Sequence, residues 1–199
     1  MKIINKILPH ANNIFVCGNN YYKNYFLEFE KKIKNNNNIT FLYFNSIDNS
    51  QLYPKGNGET IYQLLNNIVL TKKIFIIWGD ILISDNKIFE EMYNLQYDND
   101  FLIPTLYEEN PYAYLVIDNQ NNVKKFEYRK NIPIQFGYHD QCVFLCDKNK
   151  LIDKLILLIN EKYVDEINFL DIIKDFNKVA YYETKYVVKS FNTKNEFYA

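Results

Sequence analysis

The run Ile74-Phe75-Ile76-Ile77-Trp78, preceded by Lys73 and closed by Gly79-Asp80, constrains the fold more than any other segment. Five apolar residues in succession show no in-out alternation, so a strand Lys73–Trp78 must be covered on both faces. The run is also far too short to cross a bilayer. Such a strand belongs inside a sheet sandwiched by helices.

The rest of the chain supplies the partners. Asn13–Gly18 repeats the pattern, with Ile14, Phe15, Val16 and Cys17 in a row before a Gly-Asn-Asn break. Tyr21–Lys34 places Tyr22, Tyr25, Phe26, Phe29 and Ile33 at helical spacing, and the polar linker Asn35–Asn38 leads into a second strand, Ile39–Phe44. Asn45–Asn57, with Pro54 and Gly56, reads as loop. Thr60–Val69 (Ile61, Leu64, Leu65, Ile68) and Asp85–Leu95 read as amphipathic helices, the latter with Asp85 at its N-cap. Phe101–Leu106, Ala113–Ile117, Val123–Tyr128 and Gln141–Cys146 read as strands, the second and third joined by the turn Asp118–Asn122. Asn149–Asn160 and Asn168–Phe176 read as helices, and Val179–Glu183 and Tyr186–Lys189 as short strands. Strand–helix alternation followed by a hairpin-rich middle predicts an α/β fold with a mostly parallel but mixed sheet.

Charge and cysteine usage exclude several classes. Formal net charge is −1, with basic and acidic residues interspersed, so the footprint of a nucleic-acid binder is missing. Cys17, Cys142 and Cys146 lack paired-motif spacing and read as small buried hydrophobes in a cytoplasmic protein. The start, Met1-Lys2-Ile3-Ile4-Asn5-Lys6, does not read as a signal peptide. Gly-x-Ser-x-Gly, His-Glu-x-x-His and zinc-ligand spacings are missing from the sequence.

In an open α/β sheet, ligands bind beyond the carboxyl ends of the strands. That rule selects Gly79-Asp80: glycine lets a ligand approach the backbone, and the carboxylate offers a hard oxygen donor suited to Mg²⁺. Asp80 reads equally as a turn or helix-capping residue. Gly56-Asn57-Gly58-Glu59-Thr60, ahead of a helix, could present backbone N–H groups to an anion or a nucleobase edge, or could be a plain turn. Lys55 could face a phosphate or only solvent. His139-Asp140 reads first as a turn opening a strand.

Taken in order, several segments resemble the sugar-phosphate nucleotidyltransferases, the family of N-acetylglucosamine-1-phosphate uridylyltransferase. They are Gly58-Glu59-Thr60 before a helix, Ile74 to Asp80, Asn110-Pro111-Tyr112-Ala113-Tyr114, and Val123-Lys124-Lys125-Phe126-Glu127. Asp140-Gln141-Cys142-Val143-Phe144 and the segment Phe191 to Phe197 complete the series. The resemblance implies one Rossmann-like domain over 1–199, with helices on both faces of its sheet. It implies an enzyme that joins a nucleoside triphosphate to a sugar 1-phosphate and releases pyrophosphate, in activated-sugar or surface-glycan synthesis. By the same resemblance, Asp80 and Asn192 are the catalytic pair holding Mg²⁺. Gly58, Thr60 and Gly79 lie at the nucleotide, and Tyr112, Tyr114, Glu127, Arg129 and Asp140 lie at the sugar.

Two departures accompany the likeness. The family's glycine-rich first strand, with its arginine and Pro-Lys pair, has no counterpart before Asn13–Gly18, so the expectations are truncation, or a partner, a homo-oligomer or a rearrangement that fills the slot. An ungapped match puts Tyr128 and Arg129 where many members carry Glu-Lys; Glu127 substitutes only with a one-residue shift. A nucleotide-sugar-binding or regulatory homologue without turnover is therefore the alternative. A GT-A-type glycosyltransferase ranks third, because Gly79-Asp80-Ile81-Leu82 lacks the second acid of an Asp-x-Asp metal motif.

Overall fold

The computed structural model describes residues 2–33, 38–68, 72–96, 98–128, 136–161 and 166–190. In chain order the elements are α1 (Lys2–Ile7), β1 (Ile14–Asn19), α2 (Lys23–Ile33), β2 (Ile39–Phe44), α3 (Asn57–Asn67), β3 (Lys73–Ile77) and β4 (Ile81–Ile83). There follow α4 (Lys87–Leu95), β5 (Phe101–Glu109), β6 (Ala113–Ile117), β7 (Val123–Tyr128), β8 (Phe136–Asp140) and β9 (Val143–Asp147). The last are α5 (Lys148–Glu161), a 3₁₀ helix Phe169–Asp175, β10 (Val179–Glu183) and β11 (Val188–Ser190). The architecture is the expected mixed α/β type, and none of the described helices is long and apolar enough to cross a membrane.

The chain forms two compact units. Unit 1 comprises Met1–His10, Lys72–Asp147 and Ile173–Ala199. Its sheet runs β10-β5-β9-β3, with β8 also pairing β5. β10 is parallel to β5, whereas β9 is antiparallel to both β5 and β3. One apolar cluster supports it: Ile81, Ile83, Ile88, Phe89, Met92, Leu102, Val143 and Leu145, with Phe75, Ile77 and Trp78 packed against them. β3 thus packs Phe75 and Ile77 against this core, and β9 is its one ladder partner among the described residues. The hairpin β6–β7 is antiparallel, and Asp118 Oδ1 accepts the N–H groups of Gln120 and Asn122 at 2.9 and 2.8 Å in its turn.

Unit 2 comprises Ala11–Thr71 and Lys148–Ile172. β1 and β2 pair in parallel, Ile14 opposite Ile39 through Asn19 opposite Phe44. α3 packs on α5, burying Ile61 and Leu65 on one and Leu151, Leu155, Leu158 and Ile159 on the other.

Several boundaries differ from the sequence reading for identifiable reasons. α3 begins at Asn57 rather than Thr60, because Gly56 adopts φ 92° and turns the chain into the helix early. α4 begins at Lys87, and Asp85 acts one residue upstream of the cap, its Oδ1 accepting the Lys87 N–H at 2.9 Å. β5 reaches Glu109 because β8, absent from the sequence reading, pairs with its second half, Thr105 opposite Asp140 through Glu109 opposite Phe136. The strand expected at Gln141 starts at Val143: Cys142 takes φ 55°, and its N–H bonds Asp140 Oδ1 at 2.8 Å. The helix expected over Asn168–Phe176 is a 3₁₀ helix instead.

Candidate functional site

β3 ends at Ile77, Trp78 donates its N–H to Cys142 O at 3.1 Å, and Gly79-Asp80 form a turn into β4. Asp80 therefore caps no helix; α4 starts seven residues later at Lys87. Its carboxylate is exposed, and no hydrogen bond or ion pair engages it among the described residues. Among the described residues nothing outside its chain neighbours lies within 4 Å of a Cβ placed on Gly79, so they leave the space beside the turn open.

Behind this turn sits the β8–β9 junction. Asp140 is buried, and burial raises its carboxyl above the usual range, offset in part by the Cys142 N–H and by His139. His139 Nδ1 lies 2.8 Å from Glu108 Oε1 across the β8–β5 ladder. The Cys142 thiol is pushed up by burial first, then by the charges of Asp140 and Asp80. Gln141 is buried, and its Oε1 accepts the Val188 N–H at 3.0 Å, tying β11 to the same junction.

On the β6–β7 hairpin, Tyr114 and Glu127 face each other across the ladder, and the Tyr114 hydroxyl donates to Glu127 Oε2 at 3.1 Å. Burial, followed by Glu127, raises the Tyr114 phenol. Lys125 Nζ reaches Glu127 Oε1 at 3.3 Å. Tyr112 is exposed and meets the Tyr128 ring edge-on at 5.8 Å. The hairpin offers an exposed aromatic face beside a carboxylate held from two sides.

In unit 2 the Lys55–Thr60 segment is bolted to Ile167–Phe169. Ile167 N–H donates to Lys55 O and Gly58 N–H to Ile167 O, each at 2.8 Å, and Phe169 N–H donates to Asn57 Oδ1 at 2.7 Å. A Cβ on Gly58 would meet Ile167 Cγ2 at 2.6 Å, and one on Gly56 would meet Ile167 O at 2.5 Å. Both glycines therefore have a packing requirement inside the protein, whatever they present to a ligand. The Thr60 hydroxyl bonds Gly56 O at 3.2 Å. Lys55 Nζ lies 2.6 Å from Asp48 Oδ2, so its charge is matched within the loop.

Sequence reasoning treated Glu59 only as part of a motif. In the structure it is a buried clasp: Oε1 accepts the Ile47 N–H at 2.5 Å and Oε2 accepts the Lys55 N–H. A glutamate in a helix's first turn is ordinary in sequence, and only the fold brings Ile47 to it. Asn192 and Arg129 lie outside the described residues.

Mg²⁺ bound through substrate phosphates needs only one or two protein carboxylates, the remaining positions going to phosphate and water. The unengaged Asp80 carboxylate fits that requirement. No group of three or more His, Cys, Asp or Glu that could hold a metal exists among the described residues, so a dedicated all-protein cage is not seen there.

Neither a protein-family model nor a curated protein matches the chain. Solved structures do. HddC from Yersinia pseudotuberculosis superposes with a TM-score of 0.73 at 18% identity, over 99% of this chain and 81% of that one. A putative glucose-1-phosphate thymidylyltransferase from Bacillus anthracis gives 0.74 at 13% identity, over 99% and 78%. A 4-diphosphocytidyl-2C-methyl-D-erythritol synthase from Anaerococcus prevotii gives 0.64 at 12% identity, over 99% and 82%. The chain shares the mixed α/β fold of these structures. At these identities the likeness speaks to fold.

Proposed function

We propose that the protein is a cytoplasmic nucleotidyltransferase, acting as one domain, that joins a nucleoside triphosphate to a sugar 1-phosphate. A phosphate oxygen of the sugar phosphate attacks the α-phosphorus. The bond from that phosphorus to the bridging oxygen breaks, and pyrophosphate leaves with the electron pair. The reaction needs no covalent enzyme intermediate; alignment and charge neutralisation carry it.

The observation that carries this reading is the exposed, unengaged Asp80 carboxylate at the carboxyl end of a core strand, within a fold shared with nucleotidyltransferases. Asp80, with Asn192, would hold Mg²⁺, which supplies neutralisation of phosphate charge when bound. Gly79 leaves room for phosphate beside the backbone. Gly58 and Thr60 lie against the nucleobase edge, their N–H and hydroxyl donors being used to hold the segment in shape. Tyr112 and Tyr114 face the sugar, Arg129 is assigned to it by the family resemblance, and buried Asp140 supports the site from behind through the Cys142 N–H. Glu127, oriented by Tyr114, accepts hydrogen bonds from sugar hydroxyls. One of the matched structures, HddC, is described in complex with GMP-PN, which supports a nucleotide as one ligand.

Incubating the protein with each NTP, Mg²⁺ and a panel of sugar 1-phosphates should release pyrophosphate for one pairing. Silence across the panel, with nucleotide-sugars still raising the melting temperature, would favour the binding homologue. The Tyr128-Arg129 departure motivates that second reading. Silence with no thermal shift for any ligand removes both.

A further inference from the structure

The loop between β2 and α3 is held from its base rather than by its own packing. Ile47 and Lys55 bracket it, and both of their N–H groups end on the single carboxylate of Glu59, in the first turn of α3. Inside the bracket, Asp48 Oδ1 accepts the Ser50 N–H at 3.0 Å and its hydroxyl at 2.7 Å, while Asp48 Oδ2 takes Lys55 Nζ. Ser46 and Gln51 pair through their backbones at 3.1 Å, and Tyr21 donates its N–H to Leu52 O at 3.1 Å. Leu52 and Tyr53, by contrast, are exposed and contribute little burial. Apart from Pro54, buried at its neck, the loop is ordered by polar contacts, and the charged acceptor at its base makes the strongest of them.

We propose that Glu59 is a positioning residue: without touching substrate, it fixes the Ile47–Lys55 loop, and with it the Lys55 ammonium and the start of α3, in the shape that receives the nucleotide. This rests on the nucleotidyltransferase reading given above. The bidentate use of a carboxylate is the reason glutamate is required. A glutamine keeps one acceptor but turns an N–H₂ donor toward the second backbone N–H. An aspartate keeps the charge but is one methylene too short to span both amides.

Two variants, Glu59→Gln and Glu59→Asp, test it in the full chain with two readouts. The first, amide hydrogen exchange at Ile47 and Lys55 without ligand, reports the clasp alone. The second is the dissociation constant of the nucleoside triphosphate that binds the wild type, together with KM and kcat. Both variants should lose protection at the two amides while α5 amides keep theirs. The dissociation constant and KM should rise about tenfold with kcat nearly unchanged, as expected if the loop holds its receiving shape about a tenth of the time. Unchanged protection overturns the clasp. Lost protection with unchanged nucleotide affinity overturns the positioning role and leaves a structural carboxylate. A wild type that binds no nucleotide overturns that role together with the functional reading, and the exchange data identify the case because the clasp still registers in them.

Discussion

Replacing Gly58 by alanine separates two reasons for a glycine in this position. If glycine serves only to let a ligand approach, Gly58→Ala folds as well as the wild type and loses binding alone. The structure predicts otherwise. The new methyl would sit 2.6 Å from Ile167 Cγ2, 3.0 Å from Ile167 O and 3.3 Å from Phe169 N. Ile167 is 2% exposed and its N–H and C=O are both bonded to the Lys55–Gly58 segment, so it cannot retreat without breaking those bonds. Overpacking of this kind costs about 2 kcal/mol, a fall of roughly 4–8 °C in Tm for a chain of this size. The assay is urea denaturation of Gly58→Ala, Ile167→Ala and the double variant. Removing the Ile167 side chain relieves the shortest contact, so the double variant should be less destabilised than the sum of the singles by about 1 kcal/mol or more. Gly58→Ala within about 0.5 kcal/mol of wild type, or strict additivity, would refute the packing argument.

Two further outcomes follow from charges whose surroundings are defined. Asp140→Asn keeps an acceptor for the Cys142 N–H and removes a carboxylate whose value burial has raised. A raised carboxyl costs the folded state as pH climbs through its folded value, so the variant should melt higher than wild type at pH 8, with the gap closing as pH falls toward about 4; a lower Tm at pH 8 contradicts this. Lys55, then Ser46 and Ser50, hold Asp48 well below the usual carboxylate range. Its contribution is present above the unfolded value of about 3.9 and lost as pH falls through the folded one. Acid melting curves of Asp48→Asn should accordingly be flatter than those of wild type, and parallel curves would contradict the pairing.

What the sequence disclosed followed the physics of burial. β3 and β1 were readable because unbroken apolar runs admit few alternatives, and the β6–β7 hairpin because Asp118 and its amide-rich turn announce themselves. β8 was missed because Phe136-Gly137-Tyr138-His139-Asp140 alternates nothing clearly; β5 pairing, not composition, makes it a strand. β4 is three residues long, too short for periodicity, and becomes a strand through β11. The segment around Ile172 shows that a periodic apolar pattern does not choose between α and 3₁₀: Phe169, Leu170, Ile172 and Ile173 are all buried although the helix is 3₁₀. The strand-end position of Asp80 was legible from the apolar run before it. The clasp made by Glu59 was not, since its partner Ile47 is twelve residues away and carries no signal as a backbone donor.

Phosphate handling by the turn after β3 is most directly tested by Asp80→Asn, assayed for Mg²⁺-dependent pyrophosphate release on the NTP and sugar-phosphate pairing that the wild type uses. Asp80 is exposed and unengaged within the described residues, so the variant should melt like the wild type. Turnover should fall by about a hundredfold or more, the scale on which loss of an electrostatic contact to the transition state is felt, and higher Mg²⁺ should recover part of it. Wild-type turnover and an unchanged Mg²⁺ requirement in a well-folded Asp80→Asn chain would contradict the account.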